Sequence, residues 1–393
     1  MTIDQYIRKS YKGGWCYLVE DKAKRIIKGG LTIDVNSLYP SVMHSNSGNR
    51  YPYGNPELWR GNYIPESAWK ETNYFFVRFR CRFYLKQKHL PTVQIKGIPG
   101  YKGTRWLDSS RVYNEKDGKY YEEFYDDFGR LRQARPLLVM SKPDFELFTE
   151  HYDVEDMTIY DGMIFPTVIG VFDSYIDKYK TLKQNSTGAE RELAKLFLNN
   201  LYGKFAASTD SSYKWLELSS EGNLVSGVQP ANDKAPGYIP VGSAVTSYAR
   251  CFTIRAAQAN FDRFIYADTD SLHLEGKSKK IKGVKLHDSD FNAWKIEDVF
   301  DIGFYVRQKT YIEVVNGEYI VRCAGMPTRC KDLFIASVKG EKTIPKMTAE
   351  EKKFLSKKRT IEDFNIGLKV PSKLRPVQIS GGTILLPTTY EMR

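Results

Sequence analysis

Two aspartates stand one residue apart in the otherwise apolar segment FIYADTDSLHL, residues 264–274. Carboxylates this close together repel each other, and apolar surroundings make the ionisation of both harder still. On a continuous strand Asp268 and Asp270 would face the same side of the sheet, whereas a strand–turn–strand arrangement would place both at the tip of a hairpin. The two carboxylates converge in either arrangement, and a cation is the group that would neutralise them.

The ligands available to such a cation are oxygen atoms, because no cluster of histidine or cysteine accompanies the pair. Oxygen ligands suit Mg²⁺ or Mn²⁺ better than Zn²⁺. Asp34 closes a second apolar strand, LTID, and three carboxylates from two strand ends could hold two metal ions ~4 Å apart, the geometry used for in-line displacement at phosphorus. The residues alone leave one alternative open, which is an Asp-rich turn with solvated carboxylates.

A reaction at phosphorus also needs cations for the phosphate oxygens, and a predicted helical hairpin offers two of them. Residues 172–184 and 189–205 have apolar residues at helical spacing, and the intervening NSTG predicts a break between two antiparallel helices. Thr187 and Glu190 have the spacing of a capping box at the start of the second helix, and Gly203 is expected to end it.

One face of the second helix carries the groups that would meet a nucleotide. Lys195, Asn199 and Tyr202 fall at positions i, i+4 and i+7, and Lys183 lies across the turn. Two lysines at the tip of a helical hairpin could bind a triphosphate. Each lysine taken alone fits a solvated helix face better, so the hypothesis depends on the pair.

The elements that must position these groups belong to an α+β chain. Alternating apolar and polar residues predict a strand over 74–85, and the Asn-Gly step within 305–324 predicts a hairpin. A second hairpin is expected over 213–228, a helix rich in small residues over 241–260, and an irregular insertion over 86–135. This order of sheet, insertion, helices, insertion and sheet predicts a discontinuous α+β fold.

Composition narrows the class of protein only slightly. The net charge of +12 favours a polyanionic partner, although solubility alone would explain it. The five cysteines form no CxxC pair, which fits a reducing compartment and argues against a disulfide scaffold or a zinc knuckle. No apolar run approaches the length of a membrane span, and the N-terminus has no signal-peptide core. A cytoplasmic protein without membrane contact is therefore expected.

Several short segments together resemble the motifs of family B DNA polymerases. The three polymerase motifs are matched by DVNSLYPS at 34–41, KLFLNNLYGKF at 195–205 and YADTDS at 266–271. Three further segments resemble motifs of the protein-primed subgroup, phage enzymes that start from a terminal protein. YKGG at 11–14 is similar to the YxGG linker motif of that subgroup, and TSYAR at 246–250 is similar to its template-binding motif. KTY at 309–311 is similar to its primer-binding KxY motif. Motifs that recur in series and in order are far more specific than any one of them.

The resemblance implies a right-hand polymerase architecture with an antiparallel-sheet palm, helical-hairpin fingers, a small thumb and two insertions. The expected divisions are 1–44 for the linker and the first part of the palm, 45–170 for an insertion like terminal-protein region 1, 171–206 for the fingers, 207–240 for a hairpin insertion like terminal-protein region 2, 241–330 for the rest of the palm, and 331–393 for the thumb. In the family the first insertion serves terminal-protein binding, and the second serves processivity with strand displacement. The first motif starts at residue 34, so only the polymerase portion is matched and no N-terminal exonuclease domain is expected. Proofreading would then come from a separate chain or be missing.

The same resemblance implies roles for individual residues. Asp34 and Asp270 would be the main ligands of two Mg²⁺ or Mn²⁺ ions, with Asp268 beside them and the Val35 carbonyl assisting. The nucleotide site would comprise Lys183, Lys195, Asn199, Tyr202, Leu38 and Tyr39, of which Tyr39 would exclude a ribose 2′-hydroxyl. The DNA contacts would come from Lys309 and Tyr311 at the primer end, Thr246 and Arg250 at the template, and Tyr11, Gly13 and Gly14 of the linker motif.

The expected activity is template-dependent addition of dNTPs to a primer hydroxyl by a monomeric polymerase in protein-primed phage or mobile-element replication. One alternative is an inactive remnant that binds primed DNA or serves as a subunit of a split polymerase. Another is a metal-dependent nuclease or phosphatase, which would use the three aspartates but leave Tyr39 and the lysine hairpin unexplained. A primer-extension assay on the purified chain separates the first two hypotheses.

Overall fold

The computed structural model of the chain describes residues 1–95, 101, 106–208, 212–222, 224–230, 237–380 and 382–393. Parts of both predicted insertions lie outside the described residues, namely 96–100 and 102–105 in the first and 209–211, 223 and 231–236 in the second. Within the described residues the α-helices are α1 (Ile3–Arg8), α2 (Leu38–Met43), α3 (Lys142–His151), α4 (Asp173–Asn185), α5 (Gly188–Phe205), α6 (Ile239–Ala259), α7 (Thr328–Lys339) and α8 (Ala349–Leu355).

The strands in the same part of the chain are β1 (Cys16–Leu18), β2 (Ile26–Val35), β3 (Tyr51–Pro52), β4 (Glu57–Arg60), β5 (Asn73–Leu85), β6 (Val112–Asn114), β7 (Lys119–Tyr121), β8 (Glu123–Tyr125), β9 (Leu131–Gln133), β10 (Leu137–Ser141), β11 (Tyr152–Val168), β12 (Ser212–Leu218), β13 (Leu224–Pro230), β14 (Phe264–Asp268), β15 (Ser271–Glu275), β16 (Trp294–Arg307), β17 (Thr310–Val315), β18 (Glu318–Cys323), β19 (Lys369–Ile379) and β20 (Gly382–Glu391).

An antiparallel sheet of seven strands, which we name the central sheet, forms the body of the fold. Its strand order, β1-β14-β15-β2-β16-β17-β18, places β2 between β15 and β16. Leu31, Ile33 and Val35 of β2 are buried in the main core, so the alternation of a strand turns Thr32 and Asp34 to the opposite face. The pattern that builds the core therefore also fixes Asp34 on the open face of the sheet.

Helix α6 covers the core face of the central sheet and confirms the helix predicted over 241–260. Its small residues, including Ala244 and Ala249, are buried in the main core together with Leu272 and Leu274 of β15. Small side chains let the helix approach its neighbours closely: a Cβ atom added at Gly242 would lie 3.0 Å from the backbone nitrogen of Ala206. The helix and the sheet therefore form one rigid support beneath the open face.

The central sheet curls strongly toward its open face. His273 on β15 and Glu313 on β17 are separated by β2 and β16, which on a flat sheet would place them roughly 14 Å apart. Nevertheless, Nδ1 of His273 lies 2.8 Å from the Glu313 carboxylate. The curl encloses a small core of its own, formed by Ile27, Ile265, Tyr266, Phe300 and Tyr305. It also brings the turn between β14 and β15 close to the turn between β16 and β17.

The residues between α2 and α4 form a second sheet, which we name the insertion sheet. Its order is β10-β5-β11-β3, and β4 also pairs with β11. Strand β5 confirms the strand predicted over 74–85, whereas the 17-residue β11 was not predicted. Register shifts between Glu155 and Thr158 and between Ile159 and Asp161 interrupt its alternation, which is why the sequence pattern does not reveal it.

The predicted helical pair is present as α4 and α5, but two details of its ends were wrong. Helix α5 continues through Gly203 to Phe205, because the Arg8 guanidinium donates to the carbonyl oxygens of Ala206 at 3.1 Å and Ala207 at 2.7 Å beyond the helix end. The predicted capping box is not formed at Thr187, whose side chain makes no capping hydrogen bond. The next residue, Gly188, has a φ of 58°, and this left-handed conformation turns the chain away from capping geometry.

The C-terminal part packs α7, α8 and the β19–β20 ribbon against the outer strands of the central sheet. Phe334 of α7 and Phe354 of α8 share a core with Ile312 and Val321 of the sheet. Helix α7 begins at Thr328 and so crosses the boundary expected at residue 331. In the described part of the chain, no helix combines the length and the apolar character needed to cross a membrane.

Candidate active site

The two aspartates of the opening segment lie at a hairpin turn, so the strand–turn–strand arrangement is the one that forms. Strand β14 ends at Asp268 and β15 begins at Ser271. Between them Thr269 has a φ of 62°; its N–H donates to the Trp15 carbonyl at 2.8 Å, and its own carbonyl accepts from the Thr253 hydroxyl at 2.8 Å. The turn is therefore held from both sides, by the N-terminal segment and by α6.

Gly14 of the YKGG segment supports this turn from below. A Cβ atom added at Gly14 would lie 2.4 Å from Oγ1 of Thr269, so a side chain at this position would displace the turn. Gly13 has no such neighbour within 4 Å. The two glycines thus differ in what they do, and Gly14 is the one that the turn requires.

Asp34, near the end of β2, and Asp270, in the turn just before β15, come together at one edge of the paired strands. Ser271 is the register partner of Asp34, and the N–H of Val35 donates to the Asp270 carbonyl at 2.8 Å. Burial and the negative charge of Asp270 raise the pKa of Asp34 to about 7, and burial likewise raises the pKa of Asp270. Two hard-oxygen donors with uncompensated charge in one place are the groups that a divalent cation neutralises.

Asp268 lies beside this pair but points to a different partner. Nζ of Lys309, at the turn between β16 and β17, donates to its two carboxylate oxygens at 2.8 and 3.0 Å. Within the described residues no group of three or more His, Cys, Asp or Glu side chains is arranged to hold a metal ion. The geometry thus sets Asp34 and Asp270 apart from Asp268.

Positive charge faces the carboxylates from the helical hairpin. Nζ of Lys183, near the end of α4, donates to the Ser37 hydroxyl at 3.3 Å. Burial and the neighbouring cations Arg191, Lys195 and Lys295 lower the pKa of Lys183. Glu192 of α5 lies 3.8 Å from Arg191 and 4.0 Å from Lys195, so on the hairpin a single carboxylate faces this group of cations. Such an excess of positive charge suits an anion of high charge, such as a triphosphate.

Two members of this cation cluster were missed in the sequence. Arg191 lies one helical turn before Lys195 on α5, so its i, i+4 spacing was a signal that could have identified it. Lys295 is paired with Asp34 in the register of β16 and β2. That pairing joins segments far apart in the chain, so no local sequence pattern predicts it.

A pair of tyrosines closes the site between the carboxylates and the helical hairpin. The rings of Tyr39 and Tyr202 are stacked with centroids 3.9 Å apart. Asn199 is exposed on α5, as the helical spacing predicted. Leu38, in contrast, is buried in the main core at 2% exposure, so only its backbone could meet a nucleotide.

Thr246 and Arg250 require a correction, because the structure encloses both side chains. Oγ1 of Thr246 donates within α6 to the carbonyl of Ser243 at 3.2 Å. The Arg250 guanidinium is 3% exposed; it forms an ion pair with Asp144 at 2.6 Å and donates to the carbonyls of Lys12 at 2.6 Å and Gly13 at 3.0 Å. Neither side chain is available to a template strand here, and Arg250 instead anchors the YKGG segment to α6 and α3.

The remaining DNA-contact candidates lie nearer the surface. Tyr11 is half-buried at the start of the YKGG segment. Tyr311 stacks on Tyr305 at 5.3 Å and stays partly exposed next to Lys309. The curl of the central sheet therefore groups the KTY segment with the aspartate turn, although some 40 residues separate them in the chain.

Comparisons with known proteins identify the family to which the chain belongs. The profile of the family described as DNA polymerase type B, organellar and viral, matches residues 1–282. The DNA polymerase of Bacillus phage Nf is 34% identical over 395 residues, which cover 100% of this chain and 63% of that relative. The DNA polymerase of Streptococcus phage Cp-1 is 32% identical over 366 residues, which cover 92% of this chain and 56% of the relative. The chain thus spans less than two thirds of the length of these relatives.

The fold also matches a solved structure. Phi29 DNA polymerase complexed with primer-template DNA and incoming nucleotide substrates superposes with a TM-score of 0.79 at 32% identity, over 100% of this chain and 63% of that one. The curled sheet with paired carboxylates, facing a helical hairpin rich in cations, is thus the α+β polymerase fold that the sequence predicted. This chain belongs to the organellar and viral family of type B DNA polymerases.

Proposed function

We propose that this chain is a DNA-directed DNA polymerase, which adds deoxynucleotides to a primer hydroxyl under the direction of a template. The observation that carries the proposal is the approach of Asp34, near the end of β2, to Asp270 in the β14–β15 turn, opposite the cations of α4 and α5. Its relative of known structure was solved with primer-template DNA and incoming nucleotides, which supports the same substrates here.

The metal site of this proposal uses Asp34 and Asp270, with the Val35 carbonyl beside them. When bound there, two Mg²⁺ or Mn²⁺ ions supply activation of the attacking hydroxyl and stabilisation of the leaving group. The fit rests on the hard-oxygen donors and on their enclosure, since burial first and the charge of Asp270 second raise the pKa of Asp34. Asp268 serves mainly through Lys309 and becomes a third donor only by releasing that lysine.

The incoming dNTP is held by the helical hairpin. Lys183 and Lys195 bind the triphosphate, and Arg191 extends the same cationic surface. Asn199 and Tyr202 line the nucleotide pocket on α5. Tyr39, braced by its stack on Tyr202, lies beneath the sugar and rejects a 2′-hydroxyl. The α-phosphate is then attacked by the primer hydroxyl, and pyrophosphate leaves.

The primer end is held by Lys309 and Tyr311. The ion pair between Lys309 and Asp268 keeps this lysine next to the carboxylates, so a bound primer phosphate lies beside the reacting hydroxyl. Arg250 acts indirectly, since it positions the Lys12 and Gly13 backbone on which the aspartate turn rests. In a protein-primed setting the first hydroxyl comes from a side chain of a terminal protein, with the insertion sheet as its predicted contact.

Primer extension by the purified chain tests the proposal. Asp270→Ala is expected to abolish Mg²⁺-dependent dNTP incorporation with little loss of DNA binding, as measured by fluorescence anisotropy. Asp301→Ala is the matched control, because Asp301 is an exposed aspartate on β16 whose partner is the surface residue Lys277. Undiminished incorporation by the Asp270 variant, or no incorporation by the unaltered chain, would reject the polymerase assignment.

The Tyr39→Val variant separates a polymerase from a nuclease that uses the same carboxylates. Removing the ring is expected to raise ribonucleotide incorporation relative to dNTP by about 10- to 100-fold, because a steric exclusion of this size is worth ~1–3 kcal/mol. Tyr53→Val, at an exposed tyrosine of the insertion, is the control. A nuclease would show no change in sugar preference in either variant.

A further inference from the structure

A cavity of about 1200 Å³ lies beside the YKGG segment, of which Tyr11, Lys12 and Gly13 line it. Its walls are the N-terminal segment around Lys12 and the β8–β9 hairpin, and its floor is the pair β5–β10, which carries Arg80. Tyr11 and Gly13 are residues that the resemblance assigns to DNA contacts, but none of the roles assigned above to the carboxylates, the helical hairpin or the KTY segment uses this cavity. It lies between the N-terminal segment and the insertion and requires its own explanation.

The cavity is strongly cationic. Seven of its lining side chains are lysine or arginine, and two are aspartate. Of those two, Asp126 is already neutralised, since its carboxylate accepts from Nε of Arg130 at 3.1 Å and from Nε of Arg132 at 2.9 Å. The excess of positive charge in a concave site attracts a polyanion.

Several of these cations have no counter-ion. Among the residues that the structure describes, Arg80 has no ion-pair partner. Nε of Arg135 is buried without a hydrogen-bond acceptor, while Nη2 of the same guanidinium donates to the Asp156 carbonyl and to the Thr158 hydroxyl. Burial lowers the pKa of Lys12 to about 8, and Asp144, the carboxylate that attracts it, is already paired with Arg250. Unpaired cations at the wall of a cavity are stabilised when phosphate oxygens reach them.

The tip of the β8–β9 hairpin adds exposed aromatic rings. Phe128 is 81% exposed and Tyr125 is 72% exposed, and the Arg130 guanidinium lies 4.8 Å from the centre of the Phe128 ring. The Asp126 carboxylate also accepts from the N–H groups of Phe128 and Arg130, both at 3.0 Å. The rings are thus held out by an ordered turn, in the arrangement that bases stack on.

We propose that this cavity and the tip of the β8–β9 hairpin bind single-stranded DNA, with phosphates at Arg80, Lys12 and Arg135 and a base on Phe128. A duplex hides the faces of its bases, whereas a single strand can offer phosphates to the cavity and unstacked bases to the rings at once. An acidic protein would meet the cations but would leave the exposed rings without a role. The site goes beyond the proposed polymerase function and does not depend on catalysis.

Binding of a fluorescein-labelled oligothymidylate to the full chain, measured by anisotropy, tests the site. Arg80→Glu is expected to weaken binding by about tenfold and to reduce the slope of log affinity against log salt by roughly one to two. Phe128→Ala is expected to weaken it by roughly 5- to 100-fold, the range found for one stacked base. Ultraviolet crosslinking followed by peptide mapping is expected to place a crosslink at Phe128 or Tyr125.

Matched controls separate this site from the rest of the molecule. Arg60→Glu reverses an equally exposed charge of the insertion outside the cavity, and Tyr53→Ala removes an exposed ring elsewhere. Both are expected to bind the oligonucleotide as the unaltered chain does. The Asp270→Ala variant is also expected to bind it normally, so failure of the proposed polymerase function would leave this result intact.

Three outcomes would overturn the inference. The first is unchanged affinity in both Arg80→Glu and Phe128→Ala, with thermal melting confirming that each is folded. The second is an equal loss of affinity in Arg60→Glu, which would mean a general charge effect. The third is competition by polyglutamate as strong as by unlabelled oligothymidylate, together with normal binding by Phe128→Ala, which would mean a site for acidic polymers.

Discussion

Two carboxylates on the same face of the central sheet, Glu313 and Asp34, have pKa values shifted in opposite directions. Glu313 is 2% exposed, yet its pKa lies below the ordinary value: burial alone would raise it, but His273, the Tyr305 hydroxyl and the Thr32 hydroxyl act on the carboxylate and lower it. Asp34, two residues along β2 from Thr32, is less enclosed, yet its pKa is raised to about 7. Its neighbours include the carboxylates Asp270 and Glu297.

The difference shows that burial alone does not set the direction in which the pKa of a carboxylate shifts. Glu313 is surrounded by donors within the chain, so the protein has completed that site. Asp34 and Asp270 are surrounded in part by like charge, so the site is completed only by something from outside. The first arrangement stabilises the fold, whereas the second sacrifices stability for binding.

The strongest test of the contrast is Asp34→Asn. This variant is expected to lose incorporation by roughly 10³-fold or more, which corresponds to ~4 kcal/mol of transition-state stabilisation. In metal-free buffer it should melt about 2–3 °C higher than the unaltered chain, because a repulsive charge is removed. Mg²⁺ should raise the melting temperature of the unaltered chain but not that of the variant. A lower melting temperature in the metal-free variant would contradict the contrast.

Glu313→Ala tests the second carboxylate of the comparison, the one that is hydrogen-bonded within the chain. It leaves His273 and Tyr305 buried without their common acceptor, so the free energy of unfolding is expected to fall by about 3–5 kcal/mol. Urea titration followed by tryptophan fluorescence measures the change, and Glu313→Gln, which keeps a hydrogen-bond acceptor, should lose less. If Glu313→Ala were as stable as the unaltered chain, the paired site would not be a stabilising one.

Glu351 extends the comparison to the C-terminal part and adds a pH test. The hydrogen bonds from Arg329, chiefly, lower the pKa of Glu351 from 4.5 to about 2. A depressed carboxyl pKa contributes stability that is complete above about pH 4.5 and is lost as the pH falls toward 2, by at most about 3 kcal/mol for this shift. Glu351→Gln should therefore unfold at lower urea than the unaltered chain at neutral pH. The gap should narrow near pH 3, and a gap independent of pH would contradict the assignment.

The smallest effect is expected at an exposed pair. Glu318 on β18 forms an ion pair with Lys339 at 3.0 Å, but the Glu318 side chain is 78% exposed. Water and salt screen such a pair, so Glu318→Ala should leave the urea midpoint unchanged within error. It is the control for Glu313→Ala, since both glutamates lie on neighbouring strands of the same sheet. A loss comparable to that of Glu313→Ala would mean that charge alone, and not enclosure, sets stability here.

Local patterns in the sequence predicted much of the fold. The Asn-Gly step gave the β17–β18 hairpin, where Asn316 and Gly317 have φ values of 50° and 79°, as a tight hairpin turn demands. The helical pair and α6 followed from apolar spacing and small residues, because these patterns concern neighbours within a few turns. The end of α5 did not follow, since it depends on Arg8, nearly 200 residues away in the chain.

For the candidate site, local patterns in the sequence were enough to single out the side chains that we propose for the chemistry. The alternation of β2 sets Asp34 apart from the core, and the helical spacing of α5 sets Lys195, Asn199 and Tyr202 on one face. Which residues share a face of one strand or one helix depends only on that element, so it does not depend on how the rest of the chain packs.

Tertiary structure alone decided which of those side chains are free to act. The curl of the central sheet gives Glu313 a partner in His273 and leaves Asp34 and Asp270 facing each other. The packing of α6 on α3 encloses Arg250, although its motif predicted a DNA contact. The physical reason is that the ionisation of a carboxylate and the availability of a cation depend on neighbours across strands and helices, and those pairings are set by the packing of the whole chain.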